Sequence, residues 1–151
     1  MKHAYENHFE IAREFINGIF FGGCVKYSRN AHTDGTLFWS YSTPVAHKVC
    51  KARGGVVVDS YFHSYTTRRQ TREIEGYAER WGWPVVHCGI IAPTTTRDHQ
   101  QNKGEIIDRI WHARTKYQRA RSESSRLHWC EIAEAARREL CLYNEIFGLS
   151  E

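Results

Sequence analysis

Hydroxyl and guanidinium side chains are concentrated at residues 63–72, in the sequence HSYTTRRQTR. Backbone N–H groups at the start of a helix bind anions, short hydroxyls add donors, and guanidinium groups match the geometry of phosphate oxygens. We therefore interpret this segment as an anion site, most naturally for a nucleic-acid phosphate. Its candidate residues are Ser64, Thr66, Thr67, Arg68, Arg69 and Arg72. The alternative interpretation is that the threonines only cap a helix and the arginines form a solvated face.

A second basic cluster extends from Arg109 to Arg126, where six basic residues stand against one acid, Glu123. A tyrosine among arginines suits contact with backbone phosphates and stacking on an unpaired base. The candidate nucleic-acid residues in this cluster are Arg114, Lys116, Tyr117, Arg119 and Arg121. A charged run is also typical of a helix face that contacts only water.

Nine histidines and five cysteines raise the question of a metal site. Structural zinc is usually held by four ligands that come in close pairs such as CxxC. Close histidine–cysteine pairs occur at His87 with Cys88 and at His128 with Cys130, and both cysteines lie in apolar patterns. We therefore expect Cys88 and Cys130 to be buried structural residues, and we predict neither a metal site nor a cofactor.

Catalytic residues are not marked by any GxSxG, P-loop, GxGxxG or HExxH motif. A nucleophilic mechanism would use Cys24 with His32, His47 or His63 as its base. A metal-dependent nuclease would need two or more carboxylates to converge, for instance Asp59 with Glu73 and Glu75. Positions 73 and 75 do not face each other on a helix. We therefore assign no catalytic residue and expect binding without catalysis, with a small nuclease or hydrolase as an alternative.

Hydrophobic periodicity places these groups in an α+β protein. Apolar spacing predicts helices over residues 3–17, 66–81, 103–121 and 127–147. Strands are predicted over residues 36–41, 45–50, 56–61 and 84–91. Gly54 and Gly55 are expected to supply the positive-φ positions of the hairpin between the second and third strands. The predicted fold is a single domain, residues 1–151, in which a small, mainly antiparallel sheet packs with about four helices.

Composition restricts the class of protein further. A chain of 151 residues suits one domain, and its net charge of +4 permits an anionic partner. The beginning of the chain is too polar for a signal peptide, and no apolar run approaches the roughly 18 residues of a membrane span. The cysteines are odd in number and widely spaced. These features predict a cytoplasmic protein with reduced thiols and no membrane association.

The stretches SYSTPVAHKV and YFHSYTTRRQ resemble a pattern in small uncharacterised proteins of bacteriophages. In that pattern a strand of the type SYxTxIA is followed by a YSxTTxxH segment that leads into a helix. The matching residues are Ser40, Tyr41, Thr43, Val45, Ala46, Ser64, Tyr65, Thr66 and Thr67. The chain departs from the pattern at Ser40-Tyr41, where the family more often has Tyr-Ser. It departs again at Gln70, near the position of the family's histidine, so no role of that histidine carries over.

The resemblance implies a phage or prophage origin and expression in the bacterial cytoplasm. It also implies that the SYST strand and the SYTT turn form one structural unit. The leading functional hypothesis is a phage-type accessory protein that binds DNA or RNA without catalysis through its two basic clusters. Small phage proteins often modify or block host machinery. The main alternative is therefore an inhibitor that binds a host or defence protein complex, in the manner of an anti-CRISPR protein.

Overall fold

The computed structural model describes residues 3–4, 8–17, 26–51, 53–61 and 63–150. Within these ranges the strands are β1 (His3–Ala4), β2 (Lys26–Tyr27), β3 (Ala31–Thr33), β4 (Leu37–Ser40), β5 (Thr43–Val49), β6 (Gly55–Asp59) and β7 (Val85–Cys88). The helices are α1 (His8–Asn17), α2 (Tyr65–Arg80), α3 (Thr96–Arg119) and α4 (Glu123–Phe147). The predicted α+β class, with a mainly antiparallel sheet and four helices, is confirmed.

The described strands form one sheet whose spatial order follows the chain from β1 to β7. Strands β2 to β6 are antiparallel to their neighbours along the chain, whereas β1 pairs with β2 and β6 pairs with β7 in parallel. Parallel neighbours need a crossover connection, and α2 supplies it between β6 and β7. The β6–α2–β7 unit therefore brings the carboxyl ends of two parallel strands to one edge of the sheet.

Three glycines set the boundaries of this unit. Gly54 has a φ of +77° in the turn between β5 and β6, as the sequence predicts. Gly55 has no positive φ, and its role is packing instead, because a Cβ there would lie 2.6 Å from the side chain of Ile146. Gly82 has a φ of +68° just after Trp81, the C-cap of α2, where glycine adopts this conformation without steric cost.

Alternate residues of β6 enter two hydrophobic clusters on opposite faces of the sheet. Val56 and Val58 pack with residues of α1 and α2, including Phe15 and Ile74. Val57 packs with residues of β7, α3 and α4, among them Val86, Cys88, Ile106 and Tyr143. The sheet therefore lies between one layer formed by α1 and α2 and a second layer formed by α3 and α4.

Two helices begin earlier than the apolar periodicity predicts. The third helix starts at Thr96 rather than at residue 103, because Thr95 and Asp98 form a capping box. Polar residues fill its first turns, so hydrophobic spacing does not mark them. The fourth helix starts at Glu123 rather than at residue 127, with Ser122 as its N-cap.

Two further expectations concern single features of the chain. Cys24, the candidate nucleophile of the sequence, lies outside the described residues. No described helix combines the length and hydrophobicity required to cross a membrane.

Candidate anion-binding cleft

A cleft of about 480 Å³ opens where β6 and β7 end and α2 begins. In α/β units, ligands bind at the carboxyl ends of parallel strands, because the crossover helix starts there and the loops leave space. We call this site the β6–β7 cleft. Its lining residues are Val58, Asp59, Ser60, Tyr61, His63, Thr67, Arg68, Thr71, Arg72, Glu75, His87 and Arg109.

The end of β6 supplies an aspartate–histidine pair to the cleft. Oδ1 of Asp59 accepts a hydrogen bond from the backbone N–H of Tyr61 at 2.9 Å. Its Oδ2 lies 2.8 Å from Nε2 of His63. Because an ionised carboxylate only accepts hydrogen bonds, this partner assigns the ring proton to Nε2. In the neutral ring, Nδ1 of His63 then carries a lone pair.

The hydroxyls at the start of α2 connect the helix to the sheet. Ser64 is the N-cap, and its Oγ accepts from the backbone N–H of Thr67 at 3.3 Å. Oγ1 of the buried Thr67 lies 2.8 Å from Oγ of Ser40 and 3.1 Å from Oγ of Ser64. The contact between Ser40 and Thr67 joins the SYST strand to the SYTT turn. These hydroxyls therefore have partners within the protein.

The arginines of α2 do not all point the same way. Arg68 and Arg72 line the cleft. The guanidinium of Arg69 instead lies 5.9 Å from the ring centre of Tyr65, outside the cleft lining. Thr66 is half-buried and is also absent from the lining. Of the residues predicted at the start of α2, the cleft therefore brings together Thr67, Arg68 and Arg72.

The position expected to hold the phage family's histidine faces the interior. Gln70 is fully buried on α2, and its Nε2 donates to the carbonyl of Asn30 at 3.4 Å. Its Oε1 has no hydrogen-bond partner among the described residues. Gln70 therefore connects α2 to the turn before β3 rather than contributing to the cleft.

A charged network forms the far wall of the cleft. His87 of β7 has Nε2 3.0 Å from Oε1 of Glu75 and Nδ1 3.2 Å from Oε1 of Glu139. Both ring nitrogens face acceptors, so only the doubly protonated imidazolium satisfies both contacts. The hydrogen bond with Glu139, followed by that with Glu75, raises the pKa of His87 to about 9. Burial alone would raise the pKa of Glu139. The hydrogen bonds from His87 and the positive charge of Arg109 together outweigh burial, so the pKa of Glu139 is lowered.

Arg109 reaches this network from α3. Its Nη1 lies 2.9 Å from Oε2 of Glu139, and its Nη2 donates to the carbonyl of His87 at 3.0 Å. The backbone N–H of His87 donates to Glu139. Among the described residues, β7 is an edge strand of the sheet, so the outward backbone groups of His87 have no neighbouring strand to pair with. Glu139 accepts from the N–H of His87 and Arg109 donates to its carbonyl, so both groups have partners.

The second basic cluster lies mainly on another surface. Arg114 and Tyr117 line a groove of about 400 Å³ between α3 and α4, which we call the hairpin groove. It shares no lining residue with the β6–β7 cleft. Lys116 lies seven residues beyond Arg109, which places it on the same face of α3 two turns away. Arg119 and Arg121 are exposed where α3 ends.

The cysteine predictions are correct at one position and wrong at the other. Cys88 is buried, and burial raises the pKa of its thiol to about 12. Cys130 is exposed, because it lines the open hairpin groove between α3 and α4 rather than the core. Among the described residues, no group of three or more histidine, cysteine, aspartate or glutamate side chains is arranged to hold a metal ion.

Several cleft residues are absent from the anion-binding candidates of the sequence, among them Asp59, His63, His87 and Arg109. One local signal points to Asp59 and His63, because Asp59 directly follows the buried run Val56–Val58 and a histidine comes four residues later.

Comparisons of the chain with protein-family models, with curated proteins and with solved structures gave no match. The fold and the site thus define an α+β protein with an arginine-lined cleft at a β–α–β crossover.

Proposed function

We propose that this protein binds nucleic acid and holds a backbone phosphate in the β6–β7 cleft. The observation that carries the proposal is the convergence of Arg68 and Arg72 from α2 with Arg109 from α3. Guanidinium groups pair with phosphate oxygens in a fixed, forked geometry. Three guanidinium groups therefore line one cleft.

The three arginines contribute in different ways. The guanidinium of Arg72 has no hydrogen-bond or ion-pair partner among the described residues, so its donors are available to a phosphate. Arg109 already binds Glu139 and the carbonyl of His87, so it adds fixed positive charge rather than unused donors. We therefore expect Arg72 to make the main direct contact.

The surroundings of the cleft favour a single strand over a duplex. Tyr61 on the cleft wall is 64% exposed, and Tyr65 at the start of α2 is 74% exposed. Exposed aromatic rings beside basic groups stack on unpaired bases, which a duplex keeps inside its helix. Lys116 lies about 10 Å along α3 from Arg109, from the rise of a helix over seven residues, and provides a further phosphate contact.

Binding is tested by fluorescence anisotropy with labelled oligonucleotides of about 20 nucleotides, as single-stranded RNA, single-stranded DNA and duplex DNA. Phosphate contacts release counterions, so affinity should fall steeply as salt rises. We expect both single strands to bind more tightly than the duplex. An absence of binding to all three at low salt would contradict the proposal.

A protein partner is the second candidate function, and the hairpin groove favours it. Trp111 and Tyr117, which line this groove, are 61% and 45% exposed, although large apolar side chains are usually buried. The guanidinium of Arg114 lies 5.7 Å from the ring of Trp111, so the apolar surface has a basic border that suits an acidic partner. This is the surface that a phage-encoded inhibitor of a host complex would use.

The second candidate is tested with a nuclease-treated bacterial lysate. A stoichiometric acidic protein should be retained by the wild type and lost with Trp111→Ala, while Trp81→Ala, at another exposed tryptophan, should retain it. Equal retention by both variants would remove the hairpin groove as the binding surface.

A further inference from the structure

We propose that the β6–β7 cleft cleaves RNA, with the ribose 2′-hydroxyl as the nucleophile, His63 as the general base and His87 as the general acid. The inference rests on the proposed function, because the substrate is the nucleic acid that the arginines hold. It adds a reaction and selects RNA over DNA, since only RNA carries the 2′-hydroxyl.

The base is provided by the pair at the end of β6. Asp59 is itself fixed by the N–H of Tyr61 and holds Nε2 of His63 at 2.8 Å. The orientation leaves Nδ1 of His63 with a lone pair, and the side chain is 28% exposed on the cleft wall. A carboxylate that sets the tautomer and orientation of a histidine in this way is the usual arrangement of a histidine base.

The acid is provided by the opposite wall. His87 lines the same cleft, and its contacts with Glu75 and Glu139 require protons on both ring nitrogens. One cleft therefore contains a histidine with a lone pair on Nδ1 and a histidine that carries protons on both ring nitrogens. General acid–base catalysis of an intramolecular phosphoryl transfer needs this complementary pair.

The arginines stabilise the charge that develops in the reaction. Negative charge grows on the non-bridging oxygens as the phosphorus becomes five-coordinate. Arg68 and Arg72 line the cleft from α2, and Arg109 lines it from α3. Fixed cations around a developing negative charge lower the energy of the transition state.

The reaction balances without a further reactant. The 2′-oxygen forms a bond to phosphorus, and the bond from phosphorus to the 5′-oxygen of the next nucleotide breaks. The proton of the 2′-hydroxyl passes to Nδ1 of His63. The Nε2 proton of His87, which Glu75 accepts at 3.0 Å in the free protein, leaves that hydrogen bond and passes to the departing 5′-oxygen. The products are a 2′,3′-cyclic phosphate and a free 5′-hydroxyl, after which the two histidines exchange their protons with water.

The test compares a mixed-sequence, single-stranded RNA with the same sequence carrying 2′-O-methyl groups throughout, both in the presence of EDTA. We expect cleavage of the unmodified RNA alone, with 2′,3′-cyclic phosphate ends detected by mass spectrometry. His63→Ala should lower the rate at least about 100-fold, the usual contribution of a general base. His128→Ala, at an exposed histidine of α4, should cleave at the wild-type rate.

Binding is measured in parallel by anisotropy, so that the two proposals are separated. His63→Ala should bind RNA within about threefold of the wild type, and added imidazole should restore part of its activity, because a small base can occupy the vacated space. His63→Gln serves as a second variant if the alanine variant does not fold. RNA that binds but stays intact would overturn the inference and leave the proposed function standing. Cleavage that persists in the folded His63 variants, or that includes the 2′-O-methyl strand, would also overturn it.

Discussion

The side-chain amide of Asn102 makes both backbone hydrogen bonds of Ile90. Its Oδ1 accepts from the N–H of Ile90 at 3.0 Å, and its Nδ2 donates to the carbonyl at 2.7 Å. Glu105 accepts from the N–H of Gly89 at 2.8 Å, and Arg109 donates to the carbonyl of His87. Side chains three and four residues apart on α3 thus take the place of a neighbouring strand along residues 87–90. This pairing fixes α3, and with it Arg109, beside the β6–β7 cleft.

We expect Asn102→Leu to lower the free energy of unfolding by about 2–4 kcal/mol. Leucine has a similar volume but leaves the N–H and the carbonyl of Ile90 without partners, and each unsatisfied buried group costs about 1–3 kcal/mol. Urea denaturation measures the change. Gln101→Leu, at the exposed neighbouring position, is the control. If Asn102→Leu and Gln101→Leu lowered the free energy of unfolding equally, the amide of Asn102 would not be required for stability.

Stability should decrease at alkaline pH because of His87. Its pKa is raised to about 9 in the folded protein, against about 6.5 in an unfolded chain. The stabilising contribution is therefore complete below about pH 6.5 and is lost as the pH rises through about 9. The side chain is 38% exposed, so we expect a loss of about 1–2 kcal/mol after allowance for screening by solvent.

Urea denaturation at several values between about pH 6 and about pH 10 measures this loss. His87→Gln should remove the alkaline decrease, whereas His112→Gln, at an exposed position of α3, should retain it. A decrease of the same size in the wild type and in His87→Gln would assign the effect to other groups.

The contact between Ser40 and Thr67 should stabilise the fold rather than hold the ligand. In a double-mutant cycle with Ser40→Ala and Thr67→Val, we expect a coupling energy of about 1 kcal/mol, typical of a buried hydrogen bond. RNA affinity should change by less than about twofold, since the hydroxyl of Thr67 already has partners in the protein. A large loss of affinity without loss of stability would instead make Thr67 a ligand contact.

Local patterns predict most elements of this fold. Alternating apolar residues around Gly54 predict the β5–β6 hairpin, and helical spacing that ends at Gly82 predicts α2 to within one residue. Apolar spacing does not predict the start of α3. The first turns of this helix, at residues 96–102, contact the chain after β7 through polar side chains rather than apolar ones. Hydrophobic periodicity detects helices that bury apolar faces, and Asn102 is the buried residue of that segment.

The cleft is predictable only in part, because its residues are brought together by topology. Asp59, His87 and Arg109 lie far apart in the sequence and meet through the β6–α2–β7 crossover and the packing of α3. The spacing of residues along the sequence does not predict that these three side chains lie close together. The basic cluster after Arg109 is continuous in the sequence, yet α3 turns Arg114 and Tyr117 towards the hairpin groove. The implied phage origin remains a prediction.

Phosphate binding by the arginines of the β6–β7 cleft is central to the proposed function. The most direct test is a salt titration of RNA affinity for the wild type, Arg72→Ala and Arg138→Ala, which removes a charge of α4 outside the cleft lining. We predict that Arg72→Ala weakens binding by about tenfold and reduces the slope of log affinity against log salt by about 0.7, the value for one phosphate of a single strand. Arg138→Ala should change affinity by less than about twofold. Equal effects of the two variants, with an unchanged slope, would contradict phosphate binding in the cleft.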